Sequence, residues 1–222
     1  MIKLHPTQAQ LVEFAEGTLS PAMSLVVAAH CDMCQHCQEK LEVINTQLAE
    51  SSLVYDVSEQ ELPGGYSEML SRITSLPASH IDVPAQQHGI IELDGKTFKL
   101  PRALHRYVSK TGNWSHLVGK LWQAPVDLGD MGRANFIYME KGGRVPEHTH
   151  KGNEITLVLD GEFSDGISHY DTGDFMIMTE DHVHAPESNA SEGCLVFSIV
   201  DQPLHFTSGL ARLLNPFSQL FF

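Results

Sequence analysis

The sequence predicts a two-domain α + β protein, with a small helical bundle followed by an antiparallel β-sandwich or barrel. Residues 6–50 place apolar side chains at helical spacing between helix start and stop signals. After about residue 113 the chain changes to short β-rich runs separated by turns. Between them lies a proline-bearing, weakly periodic stretch, 77–101. At 222 residues, 42% hydrophobic and 19% charged, the chain is long and apolar enough to bury a core in one large or two modest domains.

In chain order, Pro6 suits a first helical turn, Gly17 a helix C-cap, and Ser20-Pro21 a second helix start with Ser20 as N-cap. Leu11, Phe14 and Ala15, and later Leu41, Ile44 and Leu48, recur at three to four residues, so each helix has a stripe to bury. From Ser51 to Gly65 the pattern weakens, and Pro63-Gly64-Gly65 precedes a separate helix, Tyr66 to Leu76, ended by Pro77. Ile90-Ile91-Glu92-Leu93-Asp94-Gly95 reads as a short strand running into a turn. The expected division is a helical domain 1–85, a linker 86–104 and a β-domain 105–222. Its strands are expected at 134–139, 155–159, 175–178 and 194–200, with Asp160-Gly161 and Thr172-Gly173-Asp174 at the breaks.

The charge balance narrows the partners. There are 28 acidic and 14 basic residues, a formal charge of −14, and residues 1–85 hold 11 acidic against 3 basic. Binding to nucleic acid needs clustered Lys and Arg, so no direct nucleic-acid partner is expected. Apolar runs such as Leu25-Val26-Val27-Ala28-Ala29 fall far short of the ~20 residues that span a bilayer, and Met1-Ile2-Lys3-Leu4-His5 does not read as a signal peptide. A cytoplasmic protein with no membrane partner is expected.

Thirteen histidines and four cysteines are present, and Cys31, Cys34 and Cys37 lie within seven residues. Such bunching favours metal or redox chemistry over a disulfide framework. His30, Cys34 and Cys37 form H-x3-C-x2-C, and on a helix or helix junction residues three and four apart share a face. Tetrahedral zinc needs a fourth ligand, for which His5, at the mouth of the first helix, is the candidate. Read as C-x2-C-x2-C, the cysteines also resemble the opening of an iron–sulfur motif, but Leu41 stands where its next cysteine belongs. Cys31 and His36 flank the ligands and are expected to face solvent or a helix interface. Zinc here is expected to act structurally.

A second constellation follows: Gly142, His148, His150, Glu154 and Gly161 fit G-x5-H-x-H-x3-E-x6-G, the first cupin motif, at every fixed position. His148 and His150 share a strand face by the two-residue period, and Glu154 completes a two-histidine, one-carboxylate site. The second cupin motif, G-x5-P-x-G-x2-H, is met in part: Gly173 and His184 are in place, while Thr179 and Asp181 replace the usual proline and glycine. His184 is the fourth ligand by spacing, with His182 the alternative. These ligands suit zinc or another divalent metal, including iron, nickel or manganese.

Cys194 is expected as an inert buried thiol, Met176 and Met178 as core or cavity lining, and Leu213-Leu214, Phe217 and Leu220-Phe221-Phe222 as a packed terminus.

Over nearly the whole chain, the helical segment with His5, His30, Cys34 and Cys37 followed by a cupin with His148, His150, Glu154 and His184 resembles the ChrR family of zinc-containing anti-sigma factors. The resemblance extends weakly to the turn Ala15-Glu16-Gly17-Thr18-Leu19-Ser20. It implies that the zinc domain binds and inhibits an extracytoplasmic-function sigma factor, and that the cupin serves its release under oxidative stress, notably by singlet oxygen. No catalytic residue is expected on this reading. The alternative is a metal-dependent cupin oxygenase or hydrolase with a helical appendage. A zinc-finger DNA binder is disfavoured by the formal charge of −8 on residues 1–85.

Overall fold

The computed structural model describes residues 1–53, 65–77, 89–117 and 120–220. Met1–Asn45 and Gln87–Phe222 form one compact unit, and Thr46–Gln86 a second. The expected boundary near residue 85, the start of the expected linker at 86–88, and Pro63-Gly64 lie outside the described residues.

Helices α1 (Gln8–Glu16), α2 (Pro21–Met33) and α3 (Gln35–Ser52) begin the chain. Pro6 precedes the first helix rather than opening it. The N-cap is Thr7, whose hydroxyl accepts from the Gln10 N–H while the Gln10 side chain accepts from the Thr7 N–H. Gly17 ends α1 in the left-handed region at φ 73°, and Ser20 caps α2 through the Met23 N–H. Leu11, Val26, Val27 and Ala29 are buried. α2 is apolar nearly all round, as a helix packed on several sides should be. In the second unit, α4 (Gly65–Thr74) leaves Tyr66, Met69, Leu70 and Ile73 exposed, with Leu76 beyond its end.

Residues 89–104, read from the sequence as connection, carry a hairpin of β1 (Ile90–Leu93) and β2 (Lys96–Lys99). Ile91, Leu93 and Phe98 are buried, and Asp94 and Gly95, both at positive φ, make the turn. A 3-10 helix, Arg102–Lys110, follows and packs on α2. Asp32 on α2 accepts from the Arg102 guanidinium and the Ala103 N–H.

The remaining strands are β3 (Ser115–Leu117), β4 (Leu121–Asp127), β5 (Arg133–Met139), β6 (Gly143–Arg144), β7 (His148–Thr149) and β8 (Glu154–Ser164). They continue with β9 (His169–Asp171), β10 (Phe175–Met178), β11 (Val183–His184), β12 (Glu187–Ser188), β13 (Cys194–Val200) and β14 (His205–Phe206). All pairings are antiparallel. The large sheet runs β3-β4-β5-β13-β8-β12-β6 with β9 and β10 also on β8, and a small sheet runs β11-β7-β14. Every residue of β13 is buried, which explains why its sequence is a continuous apolar run. One face, with Val196, Ile137, Val158 and Met176, fills the interior. The other holds Phe136 and Phe197, ring centroids 5.2 Å apart, on the face opposite that interior. Gly161, at φ 79°, lies where β8 meets Gly193 and Cys194 so closely that a Cβ would collide with their backbone. At the C-terminus a 3-10 helix spans Gly209–Leu220; Leu213 is exposed rather than packed, while the side chains of Leu214, Phe217 and Leu220, with Phe221 and Phe222, on which the rest of that expectation falls, lie outside the described residues. Among the described residues, no single helix is long and apolar enough to cross a membrane.

Candidate metal centres

The structure brings His5, His30, Cys34 and Cys37 together. His30 lies in the last turn of α2, Cys34 is the extended residue that ends it, and Cys37 lies in the first turn of α3, so the helix break turns the three toward one point. His5 reaches them from the arm before α1. His5 Nδ1 is 3.4 Å from His30 Nε2, from Cys34 Sγ and from Cys37 Sγ, and His30 Nε2 is 3.3 Å from Cys37 Sγ. Bonds of about 2.0–2.3 Å to a tetrahedral zinc give donor separations of about 3.3–3.8 Å, so the set fits that ion. The donor chemistry agrees. Burial pushes the His30 imidazole down to about 4 and lowers that of His5, so both are neutral. Burial and the adjacent Cys34 push the Cys37 thiol up to about 12. A divalent cation supplies the counter-charge that lets such thiols ionise. Cys31 is buried outside the group, and His36 is exposed with its ring 5.4 Å from that of His5.

His148, His150, Glu154 and His184 form the second group. β7 and β11 set His148 opposite His184, with their Nε2 atoms 2.9 Å apart, and His150 Nε2 is 3.1 Å from His184 Nε2. The His148 Nδ1–H donates to the Pro146 carbonyl at 2.8 Å, which leaves Nε2 as a lone pair aimed at the group. Glu154 Oε1 accepts from the Thr156 and Ser198 hydroxyls at 2.7 and 2.8 Å, and Oε2 lies 3.3 Å from His150 Nδ1. Burial alone would raise the Glu154 carboxyl, but His150, His148 and His184 around it hold it below the ordinary range. Burial and His184 push His148 down to about 4. Neutral imidazoles beside an ionised carboxylate are the state that binds a divalent cation.

His182 is turned away. It is exposed, and its Nδ1 accepts from the Thr179 N–H at 3.0 Å, closing the turn in which Thr179 and Asp181 replace proline and glycine. Met176 and Met178, with Met139, line a cavity of about 40 Å³ against His148, Glu154 and His184. Sequence reasoning missed the supporting groups. Thr156 was in reach of it, two residues from Glu154 on the same strand face, whereas a backbone carbonyl such as that of Pro146 leaves no signal.

The family description of the ChrR cupin-like domain matches residues 108–202. The chain is 30% identical over 226 residues to the anti-sigma-E factor ChrR of Cereibacter sphaeroides, covering 99% of each. It is also similar to a crystal structure of Rhodobacter sphaeroides SigE in complex with the anti-sigma ChrR, at 28% identity and a TM-score of 0.64, covering 90% of this chain and all of that one.

Proposed function

Because the chain belongs to the ChrR family of anti-sigma factors, we propose that it binds and inhibits an extracytoplasmic-function sigma factor and releases it under oxidative stress. The carrying observation is a match to an anti-sigma factor along 99% of both chains, across the helical segment as well as the cupin. On this reading residues 1–85 clamp the sigma factor. Their net negative charge suits basic surfaces of such a partner, and the exposed apolar side chains Met69, Leu70 and Ile73 of α4 suit a helix that gains a partner on binding.

His5, His30, Cys34 and Cys37 hold zinc in a structural role, cross-linking the end of α2, the start of α3 and the arm before α1. His148, His150, Glu154 and His184 hold zinc or another divalent metal, and the cupin acts as the sensor. Its residues keep neutral imidazoles and an ionised carboxylate directed at one point, beside a cavity lined by Met139, Met176 and Met178. The test is reconstitution with the extracytoplasmic-function sigma factor of the same genome. A stable complex and inhibited transcription from a promoter dependent on that factor are expected. A sigma factor that neither co-elutes nor loses activity would overturn the proposal.

The three-histidine, one-glutamate group beside an apolar cavity also favours a second reading, a cupin oxygenase or hydrolase. Stoichiometric redox-active iron in the purified protein would support it; zinc would support the sensor.

A further inference from the structure

His30 and His5 are each held from outside the helices by the turn that joins β9 to β10. His30 is fully buried, and its Nδ1–H donates to the Gly173 carbonyl at 2.8 Å. That bond fixes the proton on Nδ1 and leaves Nε2 as the lone pair facing His5 and Cys37. His5 sits on an arm that precedes the first helix, and the same turn grips it. Asp174, with no exposed surface, accepts through Oδ1 from the Lys3 N–H at 2.6 Å and the Leu4 N–H at 2.9 Å. The Phe175 N–H donates to the Leu4 carbonyl at 3.1 Å, Lys3 pairs with Asp171 at 2.8 Å, and the Ile2 side chain occupies the space a Cβ on Gly173 would need.

The second oxygen of Asp174 accepts from the Asp171 N–H at 2.8 Å, so one buried carboxylate both closes the turn and captures the arm. Closing the turn needs only that oxygen. A fully buried carboxylate is costly unless its hydrogen bonds are made, and here two of the three come from a segment 170 residues away.

We propose that Asp174 is a positioning residue for the helical metal centre: with the Gly173 carbonyl, it makes the β9–β10 turn of the cupin the outer support of His5 and His30, two of the four ligands. The proposal rests on the metal assignment made above for that centre. It extends it by making metal retention in the helices depend on the cupin. The turn is itself fixed to the strand that carries Glu154, since the Gly173 N–H donates to the Val158 carbonyl and the Val158 N–H to that of Asp174.

The test uses the full chain, loaded with zinc and challenged with a chromogenic chelator, comparing wild type with Asp174→Asn, Lys3→Glu and Asp165→Asn. Asp174→Asn sets an amide N–H2 against a backbone donor. Lys3→Glu repels the arm from Asp171 while altering only a surface side chain, so it keeps the test alive if the first variant folds poorly. Asp165→Asn perturbs a cupin carboxylate that touches neither ligand. Support of this kind is worth about 10–100-fold in metal affinity. Asp174→Asn and Lys3→Glu are expected to release one zinc equivalent at least about tenfold faster, to leave the other equivalent at its wild-type rate, and to speed iodoacetamide labelling of Cys34 and Cys37 in parallel. Asp165→Asn should do neither. Wild-type release and labelling rates in both arm variants would overturn the proposal, as would equal acceleration by Asp165→Asn. Wild-type cysteines that label as fast before chelation as after it would overturn the metal assignment and the proposal together. Sigma binding enters none of these readouts, so failure of the anti-sigma reading is seen separately.

Discussion

His148 Nε2 and His184 Nε2 face one another at 2.9 Å across the β7–β11 ladder. His148 carries its proton on Nδ1, and His150 Nε2 also approaches His184 Nε2, at 3.1 Å. A proton on His184 Nε2 can serve only one of these lone pairs, whereas a cation at their meeting point serves all three. His184 Nδ1, buried with no hydrogen-bond partner among the described residues, leaves this imidazole held chiefly through its other nitrogen. His184→Ala is therefore expected to lower cupin metal affinity by more than about 100-fold, beyond the usual cost of losing an outer partner. Elemental analysis should fall from two metal equivalents to one; two in the variant would count against His184 as a ligand.

Acid should expose the contribution of Asp165. Burial by itself would raise this carboxyl, but the Tyr170 hydroxyl and the Ser168 and Ile167 N–H groups donate to it and hold it below its ordinary 3.8. A depressed folded-state value stabilises the fold above the unfolded value and is lost as pH falls through the folded one. Asp165→Asn should cost about 1–3 kcal/mol at neutral pH. Measured as a difference in melting temperature from wild type, that cost should shrink below pH 3.8. A difference that stays constant with pH would show that the carboxylate charge is not what matters.

The four cysteines should label in a set order. Burial pushes the Cys31 thiol up to about 11 and, with Asp160 and Glu162 adding to it, raises Cys194 further. Neither has the thiolate fraction that alkylation needs. Cys37 is raised as far while its surroundings stay closed, so chelator should speed labelling of Cys34 and Cys37 by opening the helix junction that the metal holds. In a peptide-resolved mass measurement these two should gain the most, Cys31 less, and Cys194 should react only in denaturant. Early labelling of Cys194 would mean that β13 opens locally.

How far the sequence revealed this site depends on the range of the contacts. His148, His150 and Glu154 are spaced by the strand period and its turn, and His30, Cys34 and Cys37 by a helix break, so local spacing was enough to group them. Choosing between His182 and His184 needed the turn itself, in which His182 caps Thr179. Gly173 and Asp174 read only as a turn between strands. Their bonds to His30, Lys3 and Leu4 span 143 to 171 residues and leave no periodic trace. The hairpin at 90–99 was half legible, because its first strand alternates while Lys96-Thr97-Phe98-Lys99 offers a single apolar residue to bury.

On the proposed function, oxidation has two routes by which to release a bound sigma factor, and the structure bears on the choice between them. Thiolates at Cys34 and Cys37 can be oxidised directly, with loss of the helical metal. Alternatively, a change at the cupin centre can travel along the sheet. Glu154 pairs in register with Met178, β10 runs from Met178 back to Phe175, and the Phe175 ring lies 6.1 Å from that of His30, next to the turn that accepts its Nδ1–H. That path joins the two centres through one four-residue strand. If the cupin senses, His150→Ala should leave basal inhibition within about twofold of wild type, since none of the four helical ligands is touched, and blunt release at least about fivefold, the lower end of ordinary coupling between sites. If the thiolates sense, His150→Ala should be silent. We expect the cupin route, because a zinc that holds the helices together cannot be lost without unfolding the clamp itself. Reporter output from a sigma-dependent promoter under photosensitised oxidation, wild type against His150→Ala, decides between them: an undiminished response in the variant would remove the cupin as sensor and leave Cys34 and Cys37 as the site of the chemistry.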